Sequence, residues 1–124
     1  MTLIFGGAYQ GKTAYAKEQF GLSDTDIFVC EGEKLPAAAA GFSHLEKFSL
    51  ACVKEGKEPI EVLKSAVPDR KGKIFIADDI SCGVVPIDPT LRAWREAHGR
   101  MMNALAKEAD HVVRLFCGIG QVIK

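Results

Sequence analysis

Three glycines, a lysine and a threonine fall within eight positions near the amino end, in the stretch GGAYQGKT from Gly6 to Thr13. Gly6, Gly11, Lys12 and Thr13 fit the pattern G-x-x-x-x-G-K-[ST], whose chemistry is the holding of a triphosphate. Glycine admits backbone angles closed to other residues, so consecutive amides can turn inward and donate to phosphate oxygens. The candidate cradle is therefore Gly6, Gly7, Ala8, Tyr9, Gln10, Gly11, Lys12 and Thr13. In this motif the lysine ammonium reaches the β- and γ-phosphates and the hydroxyl, here that of Thr13, takes Mg²⁺. ATP or GTP with Mg²⁺ is the ligand to which this spacing points, and the two share their phosphates.

A magnesium site generally wants a carboxylate as well, and the run IFIADD ends in Asp78 and Asp79. It resembles a Walker B element. Ligands gather at the carboxyl ends of parallel strands, so these aspartates face the phosphate loop if their strand lies near the one before Gly6. Asp78 is the metal candidate, beside Thr13. Asp79 is the catalytic candidate with Lys12, either orienting a nucleophile or capping the turn that follows.

A phosphate loop needs a strand before it and a helix after it. The apolar run TLIF precedes the glycines, and a helix running to about Phe20, with Gly21 as its stop, follows them. Further strand-like runs are IFVC (Ile27 to Cys30), IFIA (Ile74 to Ala77) and HVVRLF (His111 to Phe116). Phe42, Leu45, Phe48 and Cys52 recur at helical spacing, with Gly56 beyond them and Pro59 placed to open another short helix. Asp88 and Pro89 read as the cap and first position of the longest helix, which carries the stripe Leu91, Trp94, His98, Met101 and Leu105. Short apolar strands alternating with helices predict an α/β, P-loop NTPase-like fold, three-layer α/β/α with a mostly parallel sheet.

Length fits one nucleotide-binding domain over residues 1–124. Lysine plus arginine and aspartate plus glutamate number 16 each, so no net charge draws the chain to nucleic acid or a membrane surface. The four cysteines, Cys30, Cys52, Cys82 and Cys117, lack the spacing of a zinc or redox motif and read as reduced, mostly buried thiols. No apolar run is long enough to span a bilayer, which with the thiols points to the cytoplasm. His98 and His111 read as structural. Arg92, Arg95 and Arg100 read as a solvated face, or as donors to a phosphate or a neighbouring subunit.

The last third narrows the field. GVVP at Gly83 to Pro86, RAWREAHGR at Arg92 to Arg100, LAKEADHV at Leu105 to Val112 and CGIGQVIK at Cys117 to Lys124 together resemble the adenosylcobinamide kinase/adenosylcobinamide-phosphate guanylyltransferase family. The resemblance covers residues 1 to about 20 and 74–124; the family's Glu in its NEVGxGIVP motif falls on Asp79, and its Asn-Gln pair on Met102 and Asn103. It implies a Mg²⁺-dependent kinase of cobalamin biosynthesis acting on adenosylcobinamide, a guanylyl transfer through a histidine, and a homo-oligomer. The family is longer between the first helix and IFIADD, where its guanylylated histidine sits among arginines. His44 lies in that zone without those basic neighbours and is the candidate nucleophile. The shortened middle also suits a nucleotide-binding regulatory or assembly protein that kept the fold and lost corrinoid chemistry.

Overall fold

Residues 1–7, 11–80 and 88–124 are described by the computed structural model. Ala8, Tyr9 and Gln10 of the expected cradle, Cys82 and the GVVP segment lie outside the described residues. The apolar run behind the glycine loop forms β1 (Thr2–Gly6), and α1 (Lys12–Phe20) follows the loop. Then come β2 (Ile27–Val29), β3 (Gly41–Ser43), α2 (Leu45–Lys54), α3 (Pro59–Ala66), β4 (Ile74–Asp78), α4 (Pro89–Glu108), β5 (His111–Phe116) and β6 (Ile119–Val122).

The six strands make one sheet in the order β2-β3-β4-β1-β5-β6. All neighbouring pairs are parallel except β5 with β6. Side chains alternate across such a sheet, so each strand feeds two layers. Leu3, Phe75 and Val112 stand in register on one face, in a core completed by Phe48 and Cys52 of α2, Leu63 of α3 and Met101 and Leu105 of α4. Ile4, Ile76 and Val113 stand in register on the other, packed with Ala16 of α1. The result is α1, sheet, then α2 with α3 and α4: an α/β, P-loop-like arrangement of three layers.

Two local signals are used as their spelling suggests. The Asp88 side chain accepts from the amides of Thr90 at 2.8 Å and Leu91 at 3.2 Å, and Pro89 fills the first position of α4, where no amide partner exists. Pro59 opens α3 in the same way.

Two strands escape the periodicity. Phe42, expected in a helical stripe, belongs instead to β3, fully buried and stacked on Phe75 of β4 with ring centroids 5.2 Å apart. Three residues are too few to show a period of two, and β3 runs straight into α2. β6 returns antiparallel to β5 through Cys117 and Gly118, both at positive φ (50° and 76°). A two-residue hairpin with both central residues left-handed is usually spelled Asn-Gly or Asp-Gly, so Cys-Gly conceals the turn.

Of the described cysteines, Cys30 and Cys52 are free and buried, and Cys117 is exposed. Burial, with the Glu46 carboxylate adding to it, pushes the Cys30 thiol up to about 12. Cys52 is likewise pushed up, to about 11, by burial and then Glu33. Both are neutral packing groups at physiological pH. Among the described residues no helix is long and apolar enough to cross a membrane.

Candidate functional site

β1 and β4 are neighbours, with Gly6 opposite Asp78 in the register. That pairing brings the start of the glycine loop beside the first aspartate at the carboxyl edge of the sheet. The close fit is demanding: a Cβ on Gly6 would stand 2.4 Å from the Leu115 carbonyl oxygen of β5. Gly11, at φ 82°, turns the chain into α1, whose first turn holds no acidic residue to compete with an anion.

Lys12 is 7% exposed although it is a lysine, and its ammonium has partners. Nζ donates to the Gly7 carbonyl oxygen at 2.7 Å and pairs with Asp78 Oδ1 at 2.6 Å. The charge that the motif reserves for phosphates therefore rests on the carboxylate proposed for the metal. An open cavity of about 400 Å³ lies over this pair, lined by Gly11, Lys12, Thr13, His44, Glu46 and Asp78 among others. Of the candidates named above, Lys12, Thr13, Asp78 and His44 thus share one cavity.

His44 comes to this cavity from the carboxyl end of β3, at the junction with α2, with its backbone left-handed at φ 57°. The ring is partly exposed, and Nδ1 lies 3.0 Å from Glu46 Oε2. Spacing shows His44 no orienting partner; the structure supplies Glu46, the residue that the sequence reading missed. Glu46 is buried, and its second oxygen accepts the Asp78 amide at 2.9 Å, tying the start of α2 to the end of β4. Its role rests on burial and on a contact with an amide far along the chain, so no local sequence signal marks it.

Asp79 goes elsewhere. Its amide donates to the Gly6 carbonyl oxygen at 2.7 Å, continuing the β1 ladder, while the residue lines a second cavity of about 400 Å³ on the α4 side of the sheet. Leu3, Phe5, Arg95, His98 and Met102 also line it. Asp78, the last residue of β4, borders both cavities, whereas Asp79, one residue past the strand, lines the second. Arg100 forks onto Glu58 with two contacts of 3.0 Å, fastening α4 to the start of α3, and Arg92 is exposed.

His98 is 3% exposed, with Nδ1 2.7 Å from the Ser49 hydroxyl. The same hydroxyl receives the Trp94 indole N–H at 2.9 Å. Burial holds the His98 ring down at about 4, against the upward pull of Glu46, Asp79 and the Asp78 backbone. In the unfolded chain it takes a proton near 6.5, so between those values the unfolded state binds the extra proton and stability falls as pH falls. The expected loss from pH 7 to pH 4 is roughly 3 kcal/mol for this one ring. Denaturant titrations at half-unit pH steps should show that slope, and His98→Gln should flatten most of it.

The family model described as cobinamide kinase / cobinamide phosphate guanyltransferase matches residues 43–123. The match starts at the last residue of β3 and runs through β6, so it takes in His44, Glu46, Asp78 and the segment between β3 and β4 that the resemblance set aside. It leaves the glycine loop outside the matched range. No curated protein matches the chain. A match over more than half of the length settles membership: the chain belongs to the cobinamide kinase / cobinamide phosphate guanyltransferase family.

Proposed function

We propose that this chain is a nucleotide-dependent phosphotransferase of cobalamin biosynthesis, moving the γ-phosphoryl group of ATP or GTP to the hydroxyl of adenosylcobinamide. One observation carries the reading: a buried lysine, held by Gly7 and Asp78 at the head of a helix behind a glycine loop, facing an open cavity. A lysine kept out of water beside a single carboxylate is poised to exchange that partner for phosphate oxygens.

The donors beside it suit a divalent ion of the magnesium type. Thr13 offers a hydroxyl and Asp78 a carboxylate, hard oxygens lining one cavity, to a Mg²⁺ that arrives with the triphosphate and keeps several of its waters. Such an ion, when bound, neutralises charge on the phosphates. The chain's own part is positional: loop amides and the head of α1 hold the triphosphate, and Lys12 leaves Asp78 for the β- and γ-oxygens. Phosphoryl transfer consists largely of alignment and charge neutralisation, so the kinase step needs no covalent nucleophile. Asp79, one residue past β4, is assigned to the second cavity, where an acceptor alcohol would have apolar walls beside both aspartates. The described residues act as one nucleotide-binding unit in the cytoplasm, assembled as a homo-oligomer.

Purified protein incubated with γ-labelled GTP or ATP should pass label to adenosylcobinamide in the presence of Mg²⁺. Binding of nucleotide without transfer to the corrinoid would replace this reading by that of a regulatory or assembly protein. A parallel α-labelled arm reports whether His44 carries a guanylyl group, as the second half of the family's description would require.

A further inference from the structure

His44, Glu46 and Asp78 each bring one donor atom to a spot where all three lie within 4.8 Å of one another. They come from three separate pieces of the fold: the end of β3, the first turn of α2 and the end of β4. This convergence is expensive. Two carboxylates stand side by side, one of them buried, and like charges so placed repel. Among the described residues, the cationic or basic groups in contact with them are Lys12, on Asp78, and the His44 ring, on Glu46. If Lys12 moves to a triphosphate, Asp78 loses that partner and the pair of carboxylates is left with a histidine.

We infer that these three side chains form a divalent-metal site with one imidazole and two carboxylate donors, selective for first-row transition ions over Mg²⁺. This rests on the proposed movement of Lys12 for its place in turnover, but not for the binding itself. Mg²⁺ prefers all-oxygen surroundings and keeps several waters, whereas imidazole suits Mn²⁺, Co²⁺ and Zn²⁺, whose affinity for mixed nitrogen and oxygen donors is higher. The left-handed backbone of His44 supports the same reading. A non-glycine residue held at φ 57° is uncommon, and His44, so held, lines the cavity. His44 is then a ligand and not the carrier of a guanylyl group. Lys12 competes with the metal for Asp78 until a nucleotide draws the ammonium away, which couples the two events.

The test uses the whole chain, free of nucleotide and magnesium, titrated with Co²⁺ while its visible ligand-field absorption is recorded. Wild-type protein should develop bands of a bound Co²⁺ ion, and Mg²⁺ should displace it only at roughly a hundredfold higher concentration. His44→Asn keeps a residue tolerant of the left-handed backbone and should weaken Co²⁺ about tenfold or more, with Mg²⁺ affinity nearly unchanged. Glu46→Gln retains an acceptor for the Asp78 amide and should weaken both ions. Lys12→Met should bind Co²⁺ more tightly, roughly threefold or more, because a competing cation is gone. Circular dichroism checks that each variant is folded. Equal Co²⁺ affinity in wild type and His44→Asn, or Co²⁺ binding no tighter than Mg²⁺, overturns the site. A protein that shows His44-dependent Co²⁺ bands yet binds no nucleotide keeps this site and loses the phosphotransferase reading, so the two failures are separable.

Discussion

Lys12→Met is expected to lower phosphoryl transfer by a factor on the order of 10²–10³, the cost of removing one charged group aimed at developing phosphate charge. The methionine keeps most of the apolar stem that packs at the sheet edge, so the fold should survive and the loss should be chemical. Lys12 sits under the open cavity, with Gly7 and Asp78 as its contacts, and neither partner needs it to hold the β1–β4 ladder. The effect should fall on kcat as well as on KM, since the β- and γ-oxygens carry more charge in transit than at rest. Steady-state kinetics on wild type and variant checks this. Equal rates would remove the lysine from the mechanism.

Gly6→Ala is expected to destabilise the fold itself, by about 3 kcal/mol or more. The added Cβ meets backbone and not a flexible side chain, the Leu115 carbonyl oxygen at 2.4 Å, and β5 cannot retreat without breaking its pairing to β1. The comparison is Gly32→Ala, where an added Cβ meets nothing within 4 Å and the change should stay within roughly half a kcal/mol. Chemical denaturation of the two variants, or the soluble yield if Gly6→Ala fails to fold, measures the difference. The first glycine of the motif is thus fixed by strand packing before any ligand is considered.

How much could be read from residues alone follows from how local each signal was. The strand, glycine loop and helix at the amino end are contiguous, and the motif spells them without reference to the rest of the chain. The cap at Asp88 and Pro89 is equally local, and α4 begins there. The neighbouring of β1 and β4 was a condition, not a reading, because strand order is settled by which faces bury best against which helices; the structure meets it through the register of Gly6 with Asp78. Glu46 was out of reach for the same reason. Its partners are His44, itself in a left-handed conformation, and an amide 32 positions later in the chain. Asp78 and Asp79 looked alike as a pair, yet Asp78 closes β4 and borders both cavities, while Asp79 lies past the strand and borders the second. β3 and β6 were invisible for different causes: one is three residues long, and the other hides its turn behind a cysteine.

The site's electrostatics extend beyond the cavity that holds Lys12. Glu46 receives the Asp78 amide through its carboxylate, while its backbone oxygen accepts from Ser49 Oγ at 3.0 Å and Trp94 Nε1 at 3.1 Å. One residue at the start of α2 therefore joins the end of β4, beside the Lys12 cavity, to α4.

The most direct measurement is calorimetric titration of the purified chain with GTP and with ATP in the presence of Mg²⁺. Saturable heat is expected for at least one of the two triphosphates at one site per chain, lost in Lys12→Met while that variant remains folded. No heat with either nucleotide, or the same heat with and without the Lys12 ammonium, would contradict it.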